Sequence, residues 1–118
     1  MVYLYPGTLD RTFAAVADPT RRAILSRLAR GEASVTELAA PFKMSLPAIS
    51  KHLTVLERAG LLRRQKVGRV HHCQLVGQPL GEAAVWLQAY QPFWESKLDA
   101  LDDFLTQDRA DQDGPADR

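Results

Sequence analysis

The sequence has 118 residues, of which 46% are hydrophobic, 25% are charged and one is a cysteine. A chain of this length is able to bury one hydrophobic core but is too short for two domains of ordinary size, and a single cysteine excludes a disulfide within the chain. The formal net charge is only +1, yet residues 1–80 hold 12 Lys and Arg against 5 Asp and Glu, while residues 81–118 hold 3 against 9. This asymmetry indicates that residues 1–80 bind a polyanion and that the acidic residues 81–118 face away from it.

The chain carries no sign of export, membrane insertion or catalysis. Its first residues, MVYLYPGTLDR, lack the basic start and long apolar run of a secretory signal. No stretch approaches the roughly 18 consecutive apolar residues of a membrane-spanning helix. Neither a Gly-rich phosphate loop nor a nucleophile-elbow motif is present. We therefore expect a cytoplasmic protein that is not an enzyme and carries no cofactor.

Two short helices are predicted at the start of the chain. Leu9, Phe13 and Val16 recur at spacings of 4 and 3, which is typical of a helix with one apolar face over residues 9–17. Asp18 is a good N-cap for a second helix, which begins with a proline and extends over residues 19–30. The second helix therefore follows the first almost without a linker.

Two arginines, Arg21 and Arg22, lie in the first turn of this second helix, where the helix dipole disfavours positive charge. Solvated side chains are the simplest interpretation of the pair. A contact with a phosphate group and a salt bridge between subunits are the alternatives that the sequence leaves open.

Two further helices are predicted in close succession. Residues 34–37, Ser-Val-Thr-Glu, have the form of a capping box, which predicts a third helix from Val35 to about Phe42. Ser45 is a good N-cap for a fourth helix, with Pro47 in its first turn and Gly60 at the left-handed position that ends it. Two helices joined so tightly are typical of a helix-turn-helix.

The fourth helix is predicted to have one apolar face and one cationic face. The residues expected to face the core are Leu46, Ile49, Leu53 and Leu56. The opposite face carries Pro47, Lys51, Thr54 and Arg58. A face of low profile with hydroxyl groups and positive charge suits a helix that lies in a DNA groove. We therefore interpret the fourth helix as a recognition helix.

A basic β-hairpin is predicted directly after Gly60. Residues 61–65 and 69–75 have the composition of strands, and Gly68 between them is able to adopt the positive φ of a tight turn. Between residues 43 and 69 the only acidic residue is Glu57, whereas the basic residues are Lys43, Lys51, Arg58, Arg63, Arg64, Lys66 and Arg69. A hairpin of this charge after a helix-turn-helix is typical of a wing that contacts DNA.

Five segments of the chain form a pattern that is specific as a whole. They are residues 17–25 (ADPTRRAIL), 35–39 (VTELA), 45–53 (SLPAISKHL), 56–61 (LERAGL) and 68–69. Together they resemble the bacterial ArsR family of winged helix-turn-helix repressors over roughly residues 9–105. The resemblance implies a mainly α-helical fold of five helices with a small two-stranded wing. It also implies a homodimeric transcriptional repressor that binds an imperfect palindromic operator in double-stranded DNA.

The residues predicted to contact DNA lie on the fourth helix and on the hairpin. Those on the helix are expected at base edges or nearby phosphates, except that His52 is expected to bond to backbone or phosphate. The hairpin residues are expected to add affinity that does not depend on the base sequence. The full set is Ser45, Pro47, Ala48, Ser50, Lys51, His52, Thr54, Arg63, Arg64, Lys66 and Arg69.

The resemblance also raises metal sensing, and here the sequence departs from the family pattern. Metal sensors of the family place a Cys-x-Cys pair on the third helix or Asp and His ligands on the C-terminal helix. The third helix here carries Thr-Glu-Leu-Ala at residues 36–39, and no His or Cys follows Cys73. His71, His72 and Cys73 share one predicted strand with alternating faces, so they do not make a closed tetrahedral site. We expect no metal site, with His72 packed against the core, His71 on the wing surface and Cys73 as a small strand residue.

A long fifth helix is predicted from about Pro79 to Leu105, with Pro92 as the place of a kink. Its apolar stripe is larger than a small core needs, so part of it is predicted to form a dimer interface beside the first helix. The residues predicted for this interface are Leu9, Phe13, Leu87, Trp94, Leu98 and Leu101. A helix packed wholly on its own core is the alternative.

The domain organisation follows from these elements. Residues 1–106 are expected to form one winged helix-turn-helix domain for DNA binding and dimerisation. Residues 107–118 are polar and acidic, without an apolar anchor, so a disordered tail is expected there.

Two other functions remain open at this point. The first is a regulator that binds a small organic effector between Trp86, Tyr90, Phe93, Trp94 and the winged core. The second is a protein-interaction module that keeps the fold without binding DNA. The basic residues between positions 43 and 69 argue against the second function.

Overall fold

The computed structural model describes residues 6–112, within which six helices and three strands form. The helices are α1 (Pro6–Val16), α2 (Pro19–Leu28), α3 (Val35–Ala39), α4 (Leu46–Arg58), α5 (Gln78–Gln88) and α6 (Gln91–Gln112). The strands are β1 (Ala33–Ser34), β2 (Leu62–Val67) and β3 (Val70–Leu75). The predicted winged helix-turn-helix is confirmed, with α3 and α4 as the helix pair and β2 and β3 as the wing. Over this part of the chain, no helix combines the length and apolar character of a membrane span.

Local sequence signals begin and end the two helices of the helix-turn-helix as predicted. Ser34 and Glu37 form a complete capping box, in which the Ser34 N–H donates to Glu37 Oε1 at 2.8 Å and the Glu37 N–H donates to Ser34 Oγ at 3.1 Å. At the start of α4 the Ala48 N–H donates to Ser45 Oγ at 3.2 Å. Gly60 follows α4 with a φ of 78°, which glycine adopts without steric cost.

The core is built around α4. Its residues Ile49, Leu53 and Leu56 are each 0% exposed. The side chains from other elements that are also fully buried include Thr12, Ile24, Leu38, Leu61 and Cys73. Because the buried positions of α4 lie on one stripe, the opposite face of the helix is left for solvent or a ligand.

Leu46 was predicted to face the core, and this prediction is wrong. Its side chain is 54% exposed. Its angular direction is within about 20° of that of Leu53, but it is the first residue of α4 and lies about 10.5 Å from Leu53 along the helix axis. Helical spacing predicts the direction of a side chain around the axis, whereas its burial also requires a neighbouring element at that height.

The wing belongs to a three-stranded antiparallel sheet of order β1-β3-β2, rather than to the predicted two-stranded hairpin. The third strand, β1, pairs Ala33 with Cys73 and Ser34 with His72. A strand of two residues is too short to show alternation, so the sequence pattern did not reveal it. The predicted turn glycine, Gly68, has a φ of 65°.

The assignment of faces on β3 was wrong for one residue. Cys73 is 0% exposed and belongs to the core, whereas His72 is only half-buried on the other face and His71 is exposed. The alternation of side chains along β3 was correctly predicted, but the neighbouring strand decides which face is buried. Leu75 pairs with the buried Leu62 of β2, and Cys73 lies two residues before Leu75 on the same face.

The single long fifth helix is instead two helices, α5 and α6, separated by Ala89 and Tyr90. Tight turns form at the break, where the Tyr90 N–H donates to the Leu87 carbonyl at 3.0 Å. Pro92 then occupies the second position of α6, where an N–H group would have no acceptor within that helix. The proline therefore restarts a helix instead of kinking one.

α6 extends further than expected at its other end. It continues to Gln112, six residues into the predicted disordered tail, and residues 113–118 lie outside the described residues. Extending an existing helix costs far less free energy than nucleating a new one. Arg109 in the last turn places positive charge at the negative end of the helix dipole. The predicted disordered tail therefore overlaps α6 over residues 107–112, and its disorder stays a prediction.

The described chain divides into two compact units with a boundary between Ala84 and Val85, where one domain over residues 1–106 was predicted. The last buried residue is Ala83, and every described side chain from Ala84 to Arg109 is exposed. The apolar residues of α6 therefore add no buried side chain among the described residues, and the single domain over residues 1–106 stays a prediction.

The contrast between Leu53 and Leu46 is directly testable. We expect Leu53→Ala to lower the free energy of unfolding by about 2–5 kcal/mol, because it leaves a cavity in the core. Leu46→Ala, the matched control on the same helix, should change it by less than about 0.5 kcal/mol. Urea denaturation at fixed protein concentration measures both values. Equal losses of unfolding free energy would contradict the difference in burial between Leu53 and Leu46.

Candidate nucleic-acid interface

The exposed face of α4 carries the predicted DNA contacts. Pro47 and Lys51 are exposed, while Ala48, Ser50 and Thr54 are half-buried. An open groove of about 440 Å³ runs along this face, and its lining residues are Pro47, Ser50, Lys51, Thr54, Val55 and Arg58. The structure therefore brings four of the predicted contact residues together in one groove, which also contains the cationic Arg58.

The hydroxyl groups on this face differ in what they are able to offer to DNA. Ser45 Oγ accepts from the Ala48 N–H at 3.2 Å, so its own hydroxyl hydrogen remains available for a phosphate oxygen. Thr54 Oγ1 donates to the Ser50 carbonyl at 3.0 Å. In this conformation Thr54 has no hydrogen left for a phosphate, and it offers a methyl group and acceptor lone pairs instead.

Two residues of the groove were missing from the predicted contacts. Val55 is 39% exposed beside Lys51 and Thr54, and Arg58 is exposed at the end of α4. The signal for Val55 was its position off the 3 and 4 spacing of the buried stripe, which leaves an apolar side chain outside the core. An exposed apolar group on a recognition helix is suited to contact the methyl group of thymine.

His52 lies on the flank of α4, with its side chain 22% exposed. Its Nδ1 is 3.3 Å from Arg21 Nη1 and 3.9 Å from Asp18 Oδ2. One ring nitrogen is therefore occupied within the protein. The predicted contact of His52 with DNA stays a prediction, and only its Nε2 remains able to make it.

Arg21 and Arg22, for which solvation was the simplest interpretation, both bond to the end of α1. Arg21 Nε donates to the Ala15 carbonyl at 2.7 Å and its Nη2 to the Ala14 carbonyl at 3.2 Å, while Arg22 Nη1 donates to the Val16 carbonyl at 2.8 Å. The last carbonyls of a helix lack partners within it and carry the negative end of the dipole. Arg21 is therefore half-buried and bonded, whereas Arg22 makes one such bond while its side chain stays exposed.

Asp18 holds the start of α2 beside these arginines. The Arg21 backbone N–H donates to Asp18 Oδ2 at 3.0 Å, and this bond is the main reason that the pKa of Asp18 is lowered. The positive charge of the Arg21 guanidinium and the nearby His52 lower this pKa further. Asp18 is therefore an anion at neutral pH, next to the cations that cap α1.

The wing carries three exposed basic side chains. Arg63 lies on β2, Lys66 near its end, and Arg69 follows Gly68 in the turn. Lys66 pairs across the hairpin with the exposed His71. Positive charge is thus concentrated at the tip of the hairpin, as the sequence predicted.

Arg64 differs from the other predicted wing contacts. It pairs with Cys73 across the sheet and therefore faces the core, with only 19% of its side chain exposed. Its Nη2 lies 3.5 Å from Glu57 Oε1, and its buried Nε has no hydrogen-bond partner within residues 6–112. This placement argues for a structural role of Arg64 beneath the wing rather than a phosphate contact.

Metal-binding groups do not cluster in the described part of the chain. No three His, Cys, Asp or Glu residues between positions 6 and 112 are placed to hold a metal ion. Cys73 is buried, and this burial raises the pKa of its thiol. A neutral thiol in the core packs as a small apolar side chain.

The helices α5 and α6 expose many large apolar side chains. Among the predicted interface residues, Leu87 is 37% exposed, Trp94 43%, Leu98 54% and Leu101 52%. On α1, Leu9 is half-buried and Phe13 is 37% exposed. An apolar surface of this extent is unusual for a monomer and typical of an interface.

The aromatic residues proposed to hold an effector are all exposed, by between 37% and 71%. The rings of Trp86 and Tyr90 have centroids 5.3 Å apart, and Lys97 Nζ lies 5.7 Å from the centroid of the Phe93 ring. A groove of about 600 Å³ on this unit is lined by Gln88, Gln91, Pro92, Glu95, Ser96 and Asp99. Its lining is polar and contains none of the aromatic residues, so it gives the effector hypothesis no support.

Residues 16–65 match a family profile described as a helix-turn-helix domain. The matched range begins at the last residue of α1 and ends within β2. It therefore contains α4 and the first four residues of β2.

Two relatives are similar to the chain over most of their own length. The HTH-type transcriptional regulator Rv2034 of Mycobacterium tuberculosis is 46% identical over 76 residues, which are 64% of this chain and 69% of the relative. The transcriptional repressor SdpR of Bacillus subtilis is 32% identical over 79 residues, which are 67% of this chain and 88% of the relative.

Two solved structures share the fold. The crystal structure of an ArsR family transcriptional regulator matches 80% of this chain and 98% of its own, with a TM-score of 0.73 and 47% identity. The solution structure of the homodimeric winged helix-turn-helix DNA-binding domain Mb0332 of Mycobacterium bovis matches 75% of this chain and 84% of its own, with a TM-score of 0.59 and 26% identity.

Proposed function

Because the chain belongs to the ArsR family of transcriptional regulators, we propose that it is a homodimeric repressor that binds a two-fold symmetric operator in double-stranded DNA. Its relative SdpR is a transcriptional repressor, and the similar domain Mb0332 is homodimeric. The observation that carries the proposal is the groove on α4, where Lys51 and Arg58 flank small and apolar side chains on the face opposite the core.

The chemistry of this groove fits the edges of base pairs. Lys51 is long enough to reach the acceptors of guanine, and Val55 and the methyl group of Thr54 suit the methyl group of thymine. Ser45 retains a hydroxyl hydrogen for a phosphate beside them. α4 therefore offers both base contacts and the backbone contact that orients it.

The wing and the C-terminal helices have opposite charge, which orients the protein on DNA. Arg63, Lys66 and Arg69 are exposed on the wing. Residues 85–112 carry two Lys and Arg against six Asp and Glu, so phosphate groups repel this unit. In this proposal the first unit binds DNA and the second unit joins two copies of the chain.

The apolar stripe of α6 supports a second copy as its occupant. Trp94, Leu98, Leu101 and Leu105 recur at spacings of 4 and 3, the pattern of a helix that packs along another helix. All four side chains are between 43% and 54% exposed. A two-fold dimer places its two recognition helices in successive major grooves, about 34–36 Å or a multiple apart, and so requires a symmetric operator.

The test of the function is selection of bound fragments from random or genomic DNA by the purified protein. We expect the selected fragments to share an imperfect palindrome. Recovery of fragments without a common sequence would contradict an operator-binding repressor.

Lys51 is predicted to contact a base. Lys51→Ala should weaken binding to the selected operator by about 1–3 kcal/mol and change binding to random DNA little. Lys97→Ala, which removes an exposed lysine from the acidic α6, is the control and should leave both affinities unchanged. Fluorescence anisotropy titrations measure them, and an equal loss on both DNAs would show that Lys51 contacts only a phosphate.

The wing is predicted to bind phosphates. Each phosphate contact releases counterions and contributes about −0.9 to the slope of log K against log salt concentration, so the double variant Lys66→Gln/Arg69→Gln should flatten this slope by about two. The double variant Lys97→Gln/Arg109→Gln removes the same charge from α6 and should leave the slope as it is. An unchanged slope for the wing variant would exclude the wing from the DNA complex.

Leu98 is predicted to lie in the dimer interface. Leu98→Glu places a charge in an apolar seam of both subunits, and each large side chain left in water costs about 1.5–3 kcal/mol. We expect this variant to keep its helical circular dichroism, to sediment as a monomer and to lose operator binding.

Ser96→Glu is the matched control, because Ser96 lines the polar groove of the same helix. It should remain dimeric and bind the operator. If Leu98→Glu sediments as a dimer with full affinity, the interface lies elsewhere, with Leu9 and Phe13 of α1 next to be examined. If Leu98→Glu unfolds, the stripe belongs to the core of its own chain.

A further inference from the structure

Arg21 connects three helices through one side chain and its own backbone. Its Nε and Nη2 donate to the Ala15 and Ala14 carbonyls at the end of α1, at 2.7 and 3.2 Å, and its Nη1 lies 3.3 Å from His52 Nδ1 on α4. Its backbone N–H donates to the N-cap Asp18 of α2 at 3.0 Å. The end of α1, the start of α2 and the middle of α4 therefore meet at this residue.

The Arg21 contact determines which nitrogen of His52 carries the hydrogen. A guanidinium group has donors and no acceptor, so Nδ1 of His52 must accept the bond and the ring must carry its hydrogen on Nε2. Asp18 Oδ2 lies 3.9 Å from the same Nδ1, beyond hydrogen-bond distance. The described geometry is therefore that of an imidazole whose Nδ1 accepts from Arg21.

This contact adds a directional hydrogen bond to the apolar packing of the core. Ile49, Leu53 and Leu56 bury one stripe of α4 and so decide which face is exposed, but apolar burial has no angular dependence of its own. A recognition site needs its side chains held within about 0.5 Å and 10–20°. The bond from Arg21 to His52 places a contact with such a dependence one residue from Lys51.

Resting on the function proposed above, we propose that Arg21 is a positioning residue for the recognition helix. It acts through Nδ1 of His52 and touches no base itself. Because it also holds the last carbonyls of α1, its loss would release α4 from α1 without removing any group from the DNA-binding face. Operator binding then depends on a residue of α2, outside the predicted set of DNA contacts.

Arg22 provides a matched control for Arg21. It also caps α1, through its bond to the Val16 carbonyl at 2.8 Å, but its bonds within the described chain do not include α4. We expect Arg21→Gln to weaken operator binding by about five- to tenfold, the size of a coupled hydrogen-bonded pair, with random DNA bound as before. Arg22→Gln should leave both affinities within about twofold. Equal losses in the two variants would reduce the effect to capping of α1 and overturn the proposal.

Two substitutions of His52 separate its two nitrogens. His52→Asn keeps an acceptor close to the position of Nδ1, so it should lose less operator binding than Arg21→Gln, whereas His52→Gln moves the amide toward the position of Nε2 and should lose as much as Arg21→Gln. The double variant Arg21→Gln/His52→Gln should lose no more than either single variant, because both remove the same bond. The reverse order, with His52→Gln binding and His52→Asn not binding, would show that the ring contacts DNA directly.

A measurement made without DNA tests the contact between Arg21 and His52 independently of the proposed function. Nitrogen-15 chemical shifts of the His52 ring at neutral pH should show Nδ1 without hydrogen in the wild type and in Arg22→Gln, and a mixture of tautomers in Arg21→Gln. A hydrogen on Nδ1 in the wild type would overturn the contact whatever the DNA result. A wild type with the expected tautomer that selects no operator would instead overturn the proposed function. If Arg21→Gln fails to fold, Arg21→Lys keeps the charge and loses the forked geometry, and it should show the same losses.

Discussion

The structure depends on one helix that must bury one side completely and leave the other side free. Ile49, Leu53 and Leu56 of α4 have no exposed surface, and burial of each such side chain stabilises the fold by about 1.5–3 kcal/mol. The same stripe turns Lys51 and Val55 outward along an open groove. Formation of the core and presentation of the DNA-binding face are therefore one event, because a helix cannot bury one face without aiming the opposite one.

The end of α1 and the start of α2 are joined by polar contacts. The carbonyls at the end of α1 receive the guanidinium groups of Arg21 and Arg22, although α1 has no basic residue in its own last turn. These arginines lie at the positive end of α2, which is unfavourable for them, and Asp18 beside them offsets this with its negative charge. Two helix ends of opposite polarity thus stabilise each other in the short connection between α1 and α2.

Charge and apolar surface are divided between the two units. The wing exposes Arg63, Lys66 and Arg69, whereas α6 has an acidic surface and an exposed apolar stripe. Repulsion from phosphate keeps α6 away from DNA, and its stripe suits association with a second copy. This division is the physical basis for a proposed dimer whose two DNA-binding units face the same duplex.

The sequence by itself determined the elements whose signals are local. The capping box at Ser34, the N-cap at Ser45 and the glycines after α4 and in the wing turn act over a few residues, so helix-turn-helix and hairpin were predicted close to their true bounds. Only the tertiary structure decided which side chains contact distant parts of the chain. It exposed Leu46, buried Cys73 instead of His72, turned Arg64 toward the core, and brought Arg21 to His52 across 31 positions of sequence. Periodicity records the direction of a side chain around its own element, whereas burial and pairing depend on what the rest of the chain places beside it.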